Sequence, residues 1–140
     1  MGFSELALGC PNFSGIYSGS CKILFNGTEE TKNLPIGLTQ NNCESFNFND
    51  LTSNVYTVDK STLYISGSSK ILKRASLSDD GKKLILHQTI SKISEEYGNA
   101  LNVGTYIFKQ IDDKSISYEG ETFDLLKGDV SVKTSCAFLQ

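Results

Sequence analysis

Apolar and polar residues alternate along most of this chain with a period of two. In residues 15–27, GIYSGSCKILFNG, the odd positions Tyr17, Cys21, Ile23 and Phe25 share one face, whereas Ser20 and Lys22 share the opposite face. This period predicts a β-strand, because successive side chains of a strand point to opposite sides. Similar short runs follow to the end of the chain, and the signal is not the longer period of an amphipathic helix.

Turn residues separate these runs. The clearest example is SDDGK, residues 78–82, between KILKRASL and KLILHQTI. Its Asp-Gly step tolerates the positive φ of a tight turn and predicts a hairpin. The later runs GTYIFKQI, SISYEG, TFDLL and VSVKTSCAF are separated by DDK, EGE and KGD, which are also typical of turns. Only residues 90–100, ISKISEEYGNA, are long and polar enough to hold a helical turn or a functional loop.

Short strands joined by short connections predict an antiparallel meander. Such a sheet must protect its edges, and closing on itself is the simplest way. The expected fold class is therefore all-β, an antiparallel up-and-down β-barrel of about 8–10 strands. Residues 1–9 are expected to be a disordered N-terminal segment or an expression remnant, and residues 10–140 a single barrel domain.

The first predicted strand contains FSGIY, in which Gly15 lies two residues before Tyr17. This Gly-x-aromatic step resembles the Gly-x-Trp signature with which lipocalins and related calycin barrels begin. The resemblance implies that the glycine bends the chain at the closed end of the barrel and that the aromatic ring plugs that end. The chain has no Trp, so an avidin-like biotin site is not expected, and Lys133 stands where lipocalins have a last-strand Arg.

Four cysteines, Cys10, Cys21, Cys43 and Cys136, occur without a C-x-x-C pair. Zinc sites usually contain close-set ligand pairs, so disulfides are favoured over metal. Four cysteines allow three pairings. In an even-stranded barrel the first and last strands are antiparallel neighbours, which favours Cys10–Cys136 together with Cys21–Cys43. Disulfides indicate an oxidising compartment, so the protein is expected to be secreted, periplasmic or on the cell surface.

The N-terminus offers one alternative to a freely soluble protein. The residues ALGC, which end at Cys10, are similar to a lipoprotein cleavage site, and a lipid anchor on Cys10 would tether the protein to a membrane. Glu5 interrupts the apolar stretch, and Met1 and Gly2 are typical of an expression start on a chain whose signal peptide has been removed. No apolar run is long enough to predict a transmembrane helix.

Charge restricts the expected partners further. Lys and Arg total 13 and Asp and Glu total 16, which gives a net charge of -3, and the basic residues are scattered. A nucleic-acid partner is not expected, because such surfaces need clustered cations. The densest basic segment, KILKR, contains Lys70, Lys73 and Arg74 and is typical of the solvated face of a strand.

Catalytic chemistry has few candidate residues. His87 is the only histidine, and its position opposite to Leu84 and Leu86 predicts that it faces solvent. The sequence contains no G-x-S-x-G, P-loop or HExxH motif. We therefore expect no enzyme activity, no catalytic residue, no metal and no cofactor.

Aromatic residues at alternating positions are the candidates for a binding site. A small barrel is either filled by its own side chains or holds one small ligand. Two functions are therefore open: a barrel that binds a small apolar molecule, or a filled barrel whose loops bind a protein partner, as a protease inhibitor or an adhesive surface protein does. The predicted ligand-binding residues are Tyr17, Phe46, Phe48, Tyr106, Phe108 and Phe123.

Overall fold

The computed structural model describes residues 12–48, 55–96 and 98–140. Within these ranges every regular element is a strand, and no helix occurs. The ten strands are β1 (Gly15–Phe25), β2 (Thr28–Asn41), β3 (Ser45–Phe48), β4 (Val55–Thr57), β5 (Thr62–Ser66), β6 (Ser69–Leu77), β7 (Lys83–Lys92), β8 (Ala100–Asp112), β9 (Ser115–Asp124) and β10 (Asp129–Leu139).

All ten strands belong to one antiparallel sheet in the order β4-β3-β2-β1-β10-β9-β8-β7-β6-β5. Strand β1 pairs with β10, so the last strand of the sheet lies beside the first. The two ends of the sheet approach each other where Val58, just after β4, bridges to Ala75 of β6, and the Asp59 N–H donates to the Ala75 carbonyl at 2.8 Å. The sheet is therefore a nearly closed up-and-down barrel, which confirms the expected fold class.

Two predicted turns have different outcomes. The hairpin at residues 78–82 is confirmed: Gly81 has a φ of 72°, and the Asp80 carboxylate accepts from the Lys82 N–H at 3.0 Å. In contrast, EGE lies within the continuous strand β9. A Cβ on Gly120 would overlap the Tyr118 side chain and meet the ring of Tyr106 at 3.0 Å, so this glycine makes room for tyrosine rings and forms no turn.

One end of the barrel is filled by a compact aromatic core. Phe13, Tyr17 and Phe46 are buried there, and the rings of Phe13 and Phe46 meet edge to face with centroids 6.1 Å apart. The Tyr17 hydroxyl donates to the Phe13 carbonyl at 2.8 Å, and the Phe13 N–H donates to the Gln40 side chain at 2.7 Å. Tyr17 therefore fixes the segment before β1 across the closed end.

The disulfide pairing differs from the prediction. Cys21 and Cys136 lie directly opposite each other on β1 and β10, with Cα atoms 4.1 Å apart, and they are bonded to each other. The predicted pairs Cys10–Cys136 and Cys21–Cys43 are therefore wrong. The first and last strands are neighbours as expected. Their register, however, places Cys21 opposite Cys136. Cys43 is also disulfide-bonded, and Cys10 lies outside the described residues.

Part of the β2 edge has no strand partner among the described residues. Among the described residues, the 28–36 part of β2 pairs only with β1, and β5 pairs only with β6. The exposed edge of β2 carries Glu30, Lys32 and Pro35. Charged side chains and a proline without an N–H oppose pairing with another strand, so the edge is protected against association.

Candidate functional site

The interior of the barrel contains a cavity of about 420 Å³ that opens to solvent. Its walls come from β1, β2, β4, β7, β8, β9 and β10, because inward-facing side chains alternate along each of these strands. The lining residues are Ile23, Leu34, Pro35, Ile36, Tyr56, Gln88, Tyr106, Phe108, Tyr118, Thr134, Cys136 and Phe138.

The aromatic part of the wall is built on β8 and β9. The rings of Tyr106 and Tyr118 stack with an interplanar angle of 9° and centroids 6.4 Å apart. The ring centroid of Phe108 lies 4.8 Å from that of Tyr118. Gly104 has the same role as Gly120, since a Cβ there would overlap the Tyr106 side chain. Because Gly104 and Gly120 have no side chains, the tyrosine rings lie along the sheet and leave the interior open.

The polar part of the wall centres on Tyr56 and Gln88. The Tyr56 hydroxyl donates to the Gln88 side-chain oxygen at 2.9 Å. Burial raises the pKa of Tyr56, and the neighbouring Tyr106 and Tyr64 raise it further. Burial likewise raises the pKa of Tyr118. These phenols are therefore protonated at neutral pH and can donate hydrogen bonds.

Behind this polar wall lies Lys73, which the sequence did not identify as an interior residue. It is only 4% exposed, and its Nζ lies 5.2 Å from the ring centroid of Tyr56 and 5.3 Å from that of Tyr64. Burial lowers the pKa of Lys73. It pairs with Gln88 across β6 and β7, so both side chains face the interior.

The sequence pattern predicts that the basic segment KILKR forms the solvated face of a strand, and for Lys73 that prediction is wrong. Lys70 and Arg74 are exposed, but Ile71, Lys73 and Ala75 share the inward face of β6. The alternation of apolar residues on both sides of Lys73 is the signal that identifies it in the sequence.

The structure separates the six aromatic residues that were predicted to bind a ligand. Tyr106 and Phe108 lie on the cavity wall, whereas Tyr17 and Phe46 belong to the core of the closed end. Phe123 follows a register irregularity near the end of β9, is partly buried, and is not among the residues that line the cavity. Phe48 lies in β3, where its backbone pairs with that of Leu38.

His87 is exposed on the outer face of β7, and its Nε2 lies 3.4 Å from the Ser76 Oγ. Across the described ranges, no three His, Cys, Asp or Glu side chains come together in a group that could hold a metal ion. The same part of the chain contains no helix long and apolar enough to cross a membrane.

Comparisons with family models, with curated proteins and with solved structures find no match to this chain. The nearly closed antiparallel barrel is consistent with a calycin-like fold. The resemblance to lipocalins therefore rests on the architecture and on the Gly-x-aromatic step at Gly15 and Tyr17.

Proposed function

We propose that this protein is a lipocalin-like barrel that binds a small apolar molecule in its interior. The observation that carries the proposal is the cavity of about 420 Å³, which is lined mainly by aliphatic and aromatic side chains. Small-molecule sites typically have volumes of about 300–1,000 Å³ and apolar walls with a few polar groups. Tyr56 and Gln88 supply such polar groups here. The proposal assigns no catalytic step to the chain.

The same proposal includes a secreted, periplasmic or cell-surface location. The disulfide between Cys21 and Cys136 supports it, because disulfides persist mainly in oxidising compartments. The alternative of a lipid anchor concerns Cys10, which lies outside the described residues.

The second candidate is a module that binds a protein partner. Exposed apolar side chains on the outer surface favour it, among them Ile16, Leu63, Ile65, Ile93, Leu126 and Leu139. This function requires a filled barrel, so the cavity supports the small-ligand function over this one.

Native mass spectrometry of the protein purified from its own source tests the proposal directly. We expect a small molecule bound in stoichiometric amount, which organic extraction then releases for identification. A correctly disulfide-bonded protein that is consistently empty would contradict the proposal and favour a function of the outer surface.

A pair of neighbouring substitutions tests whether the cavity is the binding site. Leu34 lies on the cavity wall, whereas Asn33 is exposed on the opposite face of β2. Leu34→Trp fills the cavity, and we expect it to weaken binding of the neutral fluorescent probe N-phenyl-1-naphthylamine by about tenfold or more, a loss of about 1.4 kcal/mol. Asn33→Trp is the control and should leave binding unchanged. Equal effects of the two substitutions would place the probe elsewhere.

A further inference from the structure

We infer that the ligand of the cavity contains a flat, fused aromatic ring system that stacks on the rings of Tyr106 and Tyr118. The inference rests on the proposed function, because it specifies the class of molecule that the same cavity binds. It begins from these two tyrosines, which lie on the paired strands β8 and β9 and both line the cavity. The position of each ring on the sheet shows which part of it a ligand can contact.

Both tyrosine rings lie against the inner surface of the sheet. A Cβ on Gly104 would overlap the Tyr106 hydroxyl and would lie 3.0 Å from Cε2 of the same ring. A Cβ on Gly120 would lie 2.5 Å from the Tyr118 hydroxyl and 3.0 Å from Cδ1 of Tyr106. The rings therefore cover the two glycines. Because both tyrosines also line the cavity, the ring faces away from the sheet point into it.

The two rings together form one nearly flat surface. Their planes differ by only 9°, and their centroids lie 6.4 Å apart. Since both rings cover the same side of one sheet, they lie beside each other. A single aromatic ring can stack on one of them, whereas a fused ring system extends over both. Aromatic rings prefer offset parallel stacking, so a flat ligand gains contacts here that a puckered ligand of the same size lacks.

Neighbouring aromatic side chains fix the orientation of Tyr118. The ring centroid of Phe108 lies 4.8 Å from that of Tyr118, with the planes tilted by 46°. The ring of Phe138 lies at 6.2 Å, with a tilt of 50°. Both phenylalanines are buried in the core cluster. The flat surface is therefore formed before a ligand arrives, which reduces the entropy lost on binding.

A second part of the cavity wall is aliphatic. Leu34 and Ile36 of β2 line the cavity together with Ile23 of β1. In the sheet, β2 is separated from β9 by β1 and β10, so these side chains approach the cavity from another side. A ring system that stacks on the tyrosines can therefore bury more of its apolar surface against them.

Two hydrocarbons with one carbon skeleton test the inference on the unaltered protein. Phenanthrene is flat and aromatic, whereas perhydrophenanthrene is saturated and puckered. Both are neutral, and the saturated molecule is no less apolar, so burial of apolar surface alone predicts no preference for phenanthrene. We expect phenanthrene to displace the probe N-phenyl-1-naphthylamine at a concentration about tenfold or more below that of perhydrophenanthrene, because stacking adds to apolar burial.

Substitutions then test the flat surface itself, with the affinity of the probe measured separately for each variant. Gly104→Ala keeps both tyrosines but pushes the Tyr106 ring away from the sheet. We expect it to weaken phenanthrene binding by about 3- to 10-fold and to change perhydrophenanthrene binding by less than about twofold. Tyr106→Leu should have the same effect, because it removes the ring. Tyr106→Phe is the matched control: it keeps the ring, so phenanthrene binding should stay within about twofold of the wild type.

The outcomes separate this inference from the proposed function. If the wild type binds the probe and the two hydrocarbons displace it equally well, the inference is wrong, while the binding function stands. Equal weakening of both hydrocarbons by Gly104→Ala also contradicts the inference, because the surface then does not distinguish a flat ligand from a puckered one. If the wild type binds neither the probe nor either hydrocarbon, both the inference and the proposed function fail.

Discussion

Tyr17 shows how one residue links the sequence pattern to the closed end of the barrel. It is 2% exposed, and its hydroxyl holds the Phe13 carbonyl. Tyr17→Ala removes a buried ring and a hydrogen bond, so we expect the free energy of unfolding to fall by about 3–5 kcal/mol. Urea denaturation measures the change.

The neighbouring Ile16 provides the control for Tyr17, because its side chain is 83% exposed. Ile16→Ala should change the free energy of unfolding by less than about 0.5 kcal/mol. A cost below about 1 kcal/mol for Tyr17→Ala would mean that the ring does not close the barrel.

Tyr118 gives a prediction for alkaline pH. Burial raises its pKa, with contributions from Tyr106 and Tyr56, so the folded chain keeps a proton that the unfolded chain releases near pH ~10. The resulting stabilisation is fully present below that pH and is lost as the pH rises above it. Denaturation curves should therefore show stability falling above pH ~10, and Tyr118→Phe should make that fall shallower. An unchanged slope in the variant would contradict this assignment.

The sequence pattern predicts the positions of some of these side chains in the barrel but not of others. The pattern around Tyr17 and Phe108 showed that both face inward, since alternation is local. Whether an inward ring fills the core or lines a cavity depends on the distance to the opposite wall, which no local pattern contains. Lysine side chains are rarely fully buried, so only the position of Lys73 between Ile71 and Ala75 indicates that it faces inward.

At the scale of strands, the contact between β1 and β10 depends on Gly19. A Cβ at this position would overlap the carbonyl of Ala137 on the neighbouring strand. Gly19→Ala should therefore force the strands apart and lower the free energy of unfolding by about 1–3 kcal/mol. Thermal unfolding measures it, with Ser20→Ala as the control at an exposed position of the same strand. Equal stability of the two variants would show that the strands adjust freely.

The disulfide on the same pair of strands should contribute more. Cys21 and Cys136 are separated by 115 residues in the sequence. Closing a loop of that length restricts the unfolded chain, and the chain-entropy model gives about 4–5 kcal/mol. The double variant Cys21→Ser, Cys136→Ser should lose about that amount in urea denaturation. A loss below about 1 kcal/mol would mean that strand pairing alone restricts the chain ends.

Strands β1 and β10 also show which features of strand pairing the sequence predicts and which it does not. The hairpin at residues 78–82 was predictable because its turn chemistry lies within five consecutive residues. The pairing of β1 with β10 followed from the barrel topology, but its register did not, and the register decides which cysteines meet. Gly120 was assigned to a turn because its actual role, space for two tyrosine rings, arises only in the folded sheet.

At the scale of the whole molecule, the barrel combines a filled end with an open interior. The rings of Phe13, Tyr17 and Phe46 fill one end, and they belong to the same buried cluster as Phe108 and Phe138 of the cavity wall. The packing that stabilises the fold and the wall of the cavity therefore share residues. The alternation in the sequence shows which side chains face inward, but not which of them line the cavity.

The bond between Cys21 and Cys136 makes the barrel a covalent ring, because it joins the first strand to the last. A protease that cuts one hairpin tip anywhere between these cysteines opens the ring but leaves a single covalently connected molecule. Both products of the cut stay attached, with all ten strands present. The covalent ring therefore lets the protein keep all its strands together after a single cut.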